Sequence, residues 1–210
     1  MIDANFNPDD LRSLTKMQLD ALREVANIGA GHAATALSQI TEQRIMISVP
    51  ELSVAPLESV PNQIAGPEEP VAAVLMKMEG DLTGLTLLVF PQPIALRVAS
   101  LMMHRPVTSL GKIEESAIKE AGNILSAAYL NALADFMKMT LLNSPPILAV
   151  DMSDAVLTST YVASAQGGSH VVCVETQFQL EDGGERLRGF FLLLPDPPSL
   201  RAMLKAIHVA

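Results

Sequence analysis

Two stretches of the chain repeat apolar positions every three or four residues, the period of an amphipathic helix. They cover residues 16–39 and 113–137. Ser13 and Thr15 stand where the first would be capped, and Gly111 precedes the second. Shorter extended segments follow each helix, at 44–57, 71–79 and 82–90 in the first half and at 147–154, 170–180 and 186–194 in the second. The turns Glu79-Gly80-Asp81 and Glu181-Asp182-Gly183-Gly184 are short and carry glycine, which suits hairpins of an antiparallel sheet. Each half then closes on a helix begun by proline. One follows Pro91-Gln92-Pro93 and carries Leu96, Val98, Ala99, Leu101 and Met102. The other follows Pro195-Asp196-Pro197-Pro198 and carries Leu200, Met203, Leu204 and Ile207. Proline is tolerated there because its missing N–H would have had no partner in the first turn. The stretches 57–70 and 157–168 read as loops.

The order helix, strand, strand, strand, helix therefore occurs twice. The expectation is one domain over 1–210, made of two similar halves at about 16–105 and 111–210. Its class is α+β: an internally duplicated, layered fold with pseudo-twofold symmetry, in which strands of both halves share an antiparallel sheet and two long helices are equivalent.

Aligned at an offset of 96 residues, the two long helices agree in charge, size and polarity. The first reads Asp20-Ala21-Leu22-Arg23-Glu24-Val25-Ala26-Asn27-Ile28 and the second Ser116-Ala117-Ile118-Lys119-Glu120-Ala121-Gly122-Asn123-Ile124. At about 100° per residue, Asp20, Glu24, Asn27 and Gly31 fall on one narrow stripe, as do Ser116, Glu120, Asn123 and Ala127. The opposite faces hold Leu22, Val25, Ala26, Gly29, Ala33, Ala36 and Ile40 in one helix, and Ile118, Ala121, Gly122, Leu125, Tyr129, Ala132 and Phe136 in the other. These faces should be buried, with Gly29 and Gly122 permitting close helix–helix approach. A single Glu and Asn one turn apart would be an ordinary solvated face. Two pairs at equivalent places carry more weight, because drift has turned Gly29 into Leu125 and His32 into Ala128 while leaving both pairs intact.

The spacing of these residues resembles the motif of CheC-type chemotaxis phosphatases, of the CheC, CheX and FliY group. That motif is Asp or Ser, three residues, Glu, two residues, Asn, then twenty-two residues and Pro. Asp20, Glu24, Asn27 and Pro50 fit it in the first half, and Ser116, Glu120, Asn123 and Pro146 in the second. The resemblance implies a hydrolase that removes the aspartyl phosphate from a CheY-type response regulator. Asn27 and Asn123 would position the attacking water, and Glu24 and Glu120 would pair with the receiver's lysine. Asp20 and Ser116 would help to dock it. Such a chain needs no cofactor of its own, since Mg²⁺ comes with the receiver domain. It also implies a second partner, the CheD receptor deamidase. A non-catalytic scaffold that sequesters CheD or the receiver is the competing reading. Chemically, positioning is the main resource in phosphoryl transfer. An amide offers both a donor and an acceptor to a water, and a hundredfold acceleration needs only about 2.7 kcal/mol.

Composition narrows the alternatives further. A net charge of -9 argues against a nucleic-acid backbone or a polybasic membrane contact as partner. No apolar run reaches the roughly 20 residues that span a bilayer. No basic region followed by an apolar stretch marks a signal peptide at Met1-Ile2-Asp3-Ala4-Asn5, so a cytoplasmic protein is expected. The lone Cys173 lies in an apolar alternating run and reads as a small hydrophobe. Gly29-Ala30-Gly31-His32-Ala33-Ala34 matches a dinucleotide fingerprint in letters only, because the residues before it already have helical periodicity. His32, His104, His170 and His208 are scattered without metal-ligand spacing.

Overall fold

The computed structural model describes residues 14–56, 59–66, 68–163, 170–180 and 186–209. Ser13, the turn at 181–184 and parts of both expected loops lie outside them. In chain order the elements are α1 (Lys16–Thr41), β1 (Ile45–Ile47), β2 (Glu51–Pro56), α2 (Pro61–Ile64), β3 (Pro70–Gly80), β4 (Gly84–Pro91), α3 (Gln92–Met102), α4 (Lys112–Met137), β5 (Leu141–Asn143), β6 (Ile147–Met152), α5 (Ser153–Ala163), β7 (His170–Leu180), β8 (Arg186–Pro195) and α6 (Pro197–Val209). The duplication is thus longer than the sequence pattern implied: helix, two strands, helix, two strands, helix, twice over.

The two long helices are each 26 residues long and are cut at equivalent places. Thr15 caps α1. Its hydroxyl accepts from the Gln18 N–H at 3.3 Å, while the Gln18 side-chain oxygen accepts from the Thr15 N–H at 2.8 Å. This reciprocal arrangement satisfies two donors that the first turn leaves without partners. At the start of α4 the Glu114 carboxylate accepts from the Gly111 N–H at 3.1 Å and is held by Arg105 at 2.5 Å. Both helices end on left-handed residues 96 apart, Glu42 at φ 53° and Lys138 at φ 57°.

The eight strands of the described residues form one antiparallel sheet in the order β1-β7-β8-β4-β3-β5, with β2 also on β7 and β6 also on β3. The expected segment at 44–57 is therefore two strands in line on one neighbour. β1 pairs with the end of β7 (Ile45 opposite Leu180) and β2 with its beginning (Pro56 opposite His170). The second half repeats this, with β5 and β6 in line on β3. Each break contains the motif proline, Pro50 or Pro146, which has no N–H to give a ladder. Across each break one backbone–backbone hydrogen bond continues the pairing, Ser48 N–H to Gln177 O at 3.0 Å and Ser144 N–H to Lys77 O at 2.9 Å.

Strand residues alternate between two cores. On β8, Leu187, Phe191 and Leu193 face the core under α1, α3, α4 and α6, while Phe190, Leu192 and Leu194 face the core under α2 and α5. The stretch 157–168, expected to be a loop, begins inside α5, whose Val156 and Leu157 fill the second core. Likewise 57–70 contains the short α2, which contributes Ile64. Residues 153 and 154, expected to end a strand, open α5 instead.

The apolar faces of α1 and α4 are buried except toward their C-terminal ends, where Ala36 and Phe136 are partly exposed and Ile40 is exposed. Ile40 is 41% exposed, because the end of α1 turns Leu37 and Thr41 inward against Ile45, Phe90, Val98 and Phe178. Gly29 permits the helix–helix approach expected of it, since a Cβ there would lie 2.9 Å from Tyr129 Cδ1 and 3.0 Å from its Cα. Gly122 serves a different neighbour, the sheet: a Cβ there would sit 2.7 Å from Cβ, Cγ1 and Cγ2 of Val74. Tyr129 stacks on Phe191 with ring centroids 4.7 Å apart and shares a hydrogen bond with the buried Thr176 hydroxyl.

Two outcomes follow from this packing. Gly122→Ala should destabilise the protein by about 1–3 kcal/mol through overpacking, despite alanine's better helix propensity, as a lower midpoint in urea unfolding. Burial pushes the Tyr129 phenol up to about 12, against the lowering effect of the Thr176 hydrogen bond. Its folded pKa lies above the ordinary value of 10.0, so its contribution to stability is complete below pH 10 and is lost as pH rises toward 12. Tyrosinate absorbance should show Tyr129 ionising together with alkaline unfolding rather than before it.

Candidate functional site

Helical phase and the buried face together fix where the polar stripe points. With Leu22, Val25, Ala26 and Gly29 turned into the core, Glu24 and Asn27 must face away from it, and Glu120 and Asn123 do the same on α4. Both glutamates are exposed and both asparagines half-buried. Within each pair the Cα atoms are separated by about 4.5 Å of helix rise and about 60° of rotation, so the two side chains can reach one bound group. Among the described residues, none of these four side chains makes a hydrogen bond or ion pair. Their donor and acceptor capacity is left to water or a partner.

The first motif positions are more engaged. Asp20 accepts from Arg23 Nη1 at 2.8 Å, with both side chains about half exposed. Ser116 donates to its own helix, to the Lys112 carbonyl at 2.9 Å. The distant prolines enter the picture through the sheet, standing in the breaks just before β2 and β6. α1 lies against β2, and α4 against β6. Two exposed apolar residues share the stripe, Met17 and Ile113, at equivalent places one turn before Asp20 and Ser116. A search for polar chemistry passes over them, although the 96-residue alignment pairs them directly.

Other candidate groups fall away on geometry. Residues 29–34 lie inside α1 and do not open a helix after a strand, which the dinucleotide fingerprint requires. Cys173 is buried on β7, and burial together with the Glu175 charge pushes its thiol up to about 12, so it is not a nucleophile at neutral pH. Among the described residues no three His, Cys, Asp or Glu side chains are grouped to hold a metal ion, and no helix is long and apolar enough to cross a membrane.

Comparison with known proteins adds to this geometry. The CheC-like family model matches residues 17–54 and 113–149, the two copies of helix, split strand and proline. The protein named CheY-P phosphatase CheC from Bacillus subtilis (strain 168) is 34% identical over 195 residues, covering 90% of this chain and 93% of its own. The chain belongs to the CheC-like family. A second relative, the flagellar motor switch phosphatase FliY of the same organism, is 33% identical over 141 residues, covering 65% of this chain and 36% of its own. The crystal structure of Thermotoga maritima FliY has the same fold, with a TM-score of 0.77 at 24% identity, covering 93% of this chain and 98% of that one. The mixed, duplicated architecture is thus that of CheC-like proteins.

The half-exposed Asp20–Arg23 pair should matter little to the fold. Asp20→Asn should lower stability by no more than about 1 kcal/mol, as for other surface ion pairs, measured by urea unfolding at low salt.

Proposed function

We propose that this chain is a phosphatase of a phosphorylated CheY-type response regulator, with one site on α1 and another on α4. One observation carries the reading: identical Glu–Asn pairs, unengaged and solvent-accessible, stand at equivalent places on two core helices of a chain in the CheC-like family. The Bacillus subtilis relative named CheY-P phosphatase CheC supports the substrate class.

In the reaction, water oxygen forms a new bond to phosphorus while the bond from phosphorus to the receiver's carboxylate breaks. The carboxylate leaves as the ion, and the proton lost by water ends on inorganic phosphate. Asn27 or Asn123 holds that water through its amide, in line with the breaking bond. Glu24 or Glu120 pairs with the receiver's lysine and so fixes the register of the two proteins. Asp20 and Ser116 lie one turn before the glutamates and help to orient the docked receiver. Mg²⁺ arrives with the receiver, and no covalent intermediate forms on this chain. The CheD deamidase is a second partner under the same reading, supported by family membership.

Asn27→Ala combined with Asn123→Ala should abolish phosphate release from a phosphorylated receiver. Its circular dichroism spectrum should be unchanged, since alanine is the better helix former at both positions. Each single variant should keep part of the activity, because the pairs lie on separate helices. Glu24→Ala with Glu120→Ala should weaken receiver binding more than the asparagine variants do. Undiminished turnover in the folded double asparagine variant would remove the mechanism.

A further inference from the structure

Among the described residues, the apolar residues on the motif stripe have no partner in either core. Met17 is 70% exposed and Ile113 68%, and neither packs against either core among the described residues. Single exposed hydrophobes are ordinary on a protein surface. These two occupy the same place in both repeats, 96 residues apart, and that changes their weight. Seven residues before Glu24, Met17 lies about 10.5 Å along the axis and within about 20° of the same line. Ile113 stands in that relation to Glu120. On the other side, Ile28 and Ile124 lie four residues beyond the glutamates. Ile28 is 43% exposed and Ile124 is half-buried.

The pattern of drift marks the limits of the patch. From Lys16 to Ile28 most outward-facing positions keep their class in the second copy: Lys112 for Lys16, Ile113 for Met17, Lys119 for Arg23, and then the Glu–Asn pair and Ile124, while Asp20 gives way to Ser116. Further along the same helices the agreement is weaker: His32 becomes Ala128 and Gln39 becomes Asp135, while Ile40 stays apolar as Phe136. Solvation alone would not separate one end of the helix from the other. A bound partner would, because a standard interface covers about 800 Å² per side and the stretch from Met17 to Ile28 extends only about 16.5 Å. Interfaces of this kind place an apolar anchor beside the polar chemistry, with methionine enriched there.

We infer that Met17 and Ile113 are the apolar docking contacts of the two sites, each seating an apolar patch of the phosphorylated receiver domain beside its aspartyl phosphate. This deepens the phosphatase reading above and rests on it for the identity of the partner. Docking contacts act on binding and leave the water-positioning amide untouched, so they should appear in KM and not in kcat.

The test is Met17→Gln combined with Ile113→Gln. Glutamine keeps helix propensity at both surface positions, and circular dichroism checks the fold. Phosphate release and binding to a phosphorylated CheY-type receiver are measured side by side on the wild-type chain and the variant. The expected result is a roughly tenfold rise in KM and in dissociation constant, with kcat within about twofold of wild type. Unchanged KM and affinity beside an active wild type would overturn the docking role and leave the phosphatase reading standing. A fall in kcat at constant KM would also overturn it. A wild type that binds the receiver without turnover, with binding weakened in the variant, would uphold docking and remove the catalytic reading. A wild type that neither binds nor turns over would remove both.

Discussion

The exchange of edge strands between the halves is the constraint on which the rest of this structure depends. β3 and β4 form a hairpin within the first half, yet the outer edge of β3 is completed by β5 and β6 from the second. Reciprocally, the outer edge of β7 is completed by β1 and β2 from the first. β3 and β7 are buried along most of their length, so their backbone groups cannot turn to water and each unmade hydrogen bond would carry a desolvation cost of about 1–3 kcal/mol. Neither half can satisfy its own sheet. The β4–β8 pairing at the centre joins the halves a third time. α1 and α4, each tied to its own split strand, are thereby held on one face of a single sheet, and the two Glu–Asn pairs are held with them.

Duplication creates a packing problem at that face, and the divergence between copies solves it. Two identical helices packed on each other near a pseudo-twofold axis would bring identical side chains together. Here α1 supplies Gly29 where α4 has Leu125, and Ala33 where α4 has Tyr129. Tyr129 then fills the space that Gly29 leaves, stacks on Phe191 and bonds to Thr176. Further round the helices, Gly122 lets α4 settle onto Val74, where α1 carries Ala26. The copies have therefore diverged in the core, where interlocking requires asymmetry, and agree at the Glu–Asn pair on the outward stripe. Core packing does not account for agreement between side chains that make no hydrogen bond or ion pair among the described residues.

The same distinction explains what the sequence made legible. The long helices, their duplication and the outward direction of Glu24, Asn27, Glu120 and Asn123 follow from local periodicity, which phase alone reveals. The features that escaped it depend on neighbours from distant parts of the chain. α5 reads as loop because Thr158, Ser159 and Thr160 are weak helix formers, and burial of Val156 and Leu157 overrides that preference. The split of 44–57 and the short β5 are visible only once the partner strand is known. Gly122 read as a helix–helix contact because sequence shows a small residue on a buried face without showing what lies opposite. Ile40 departs from the helical phase because the end of α1 meets a different set of neighbours from its middle, and the buried arc shifts toward Leu37 and Thr41.

The unengaged state of the four proposed site residues shapes what such a site can do. Precision here comes from the backbone of two rigid helices, because no hydrogen bond from a described residue holds the side chains themselves. Ordering a glutamate on binding costs up to about 1.5–2 kcal/mol of rotamer freedom, and a charge-assisted hydrogen bond returns about 1.5–3 kcal/mol. The net gain from each polar anchor is small, and polar contacts alone would give a loose complex. Under the proposed reaction, that suits a phosphatase that must release its product for the next encounter. Under the proposed docking, apolar contact beside the pair adds affinity that burial supplies equally to the phosphorylated and the free receiver, so discrimination between them rests on the polar pair.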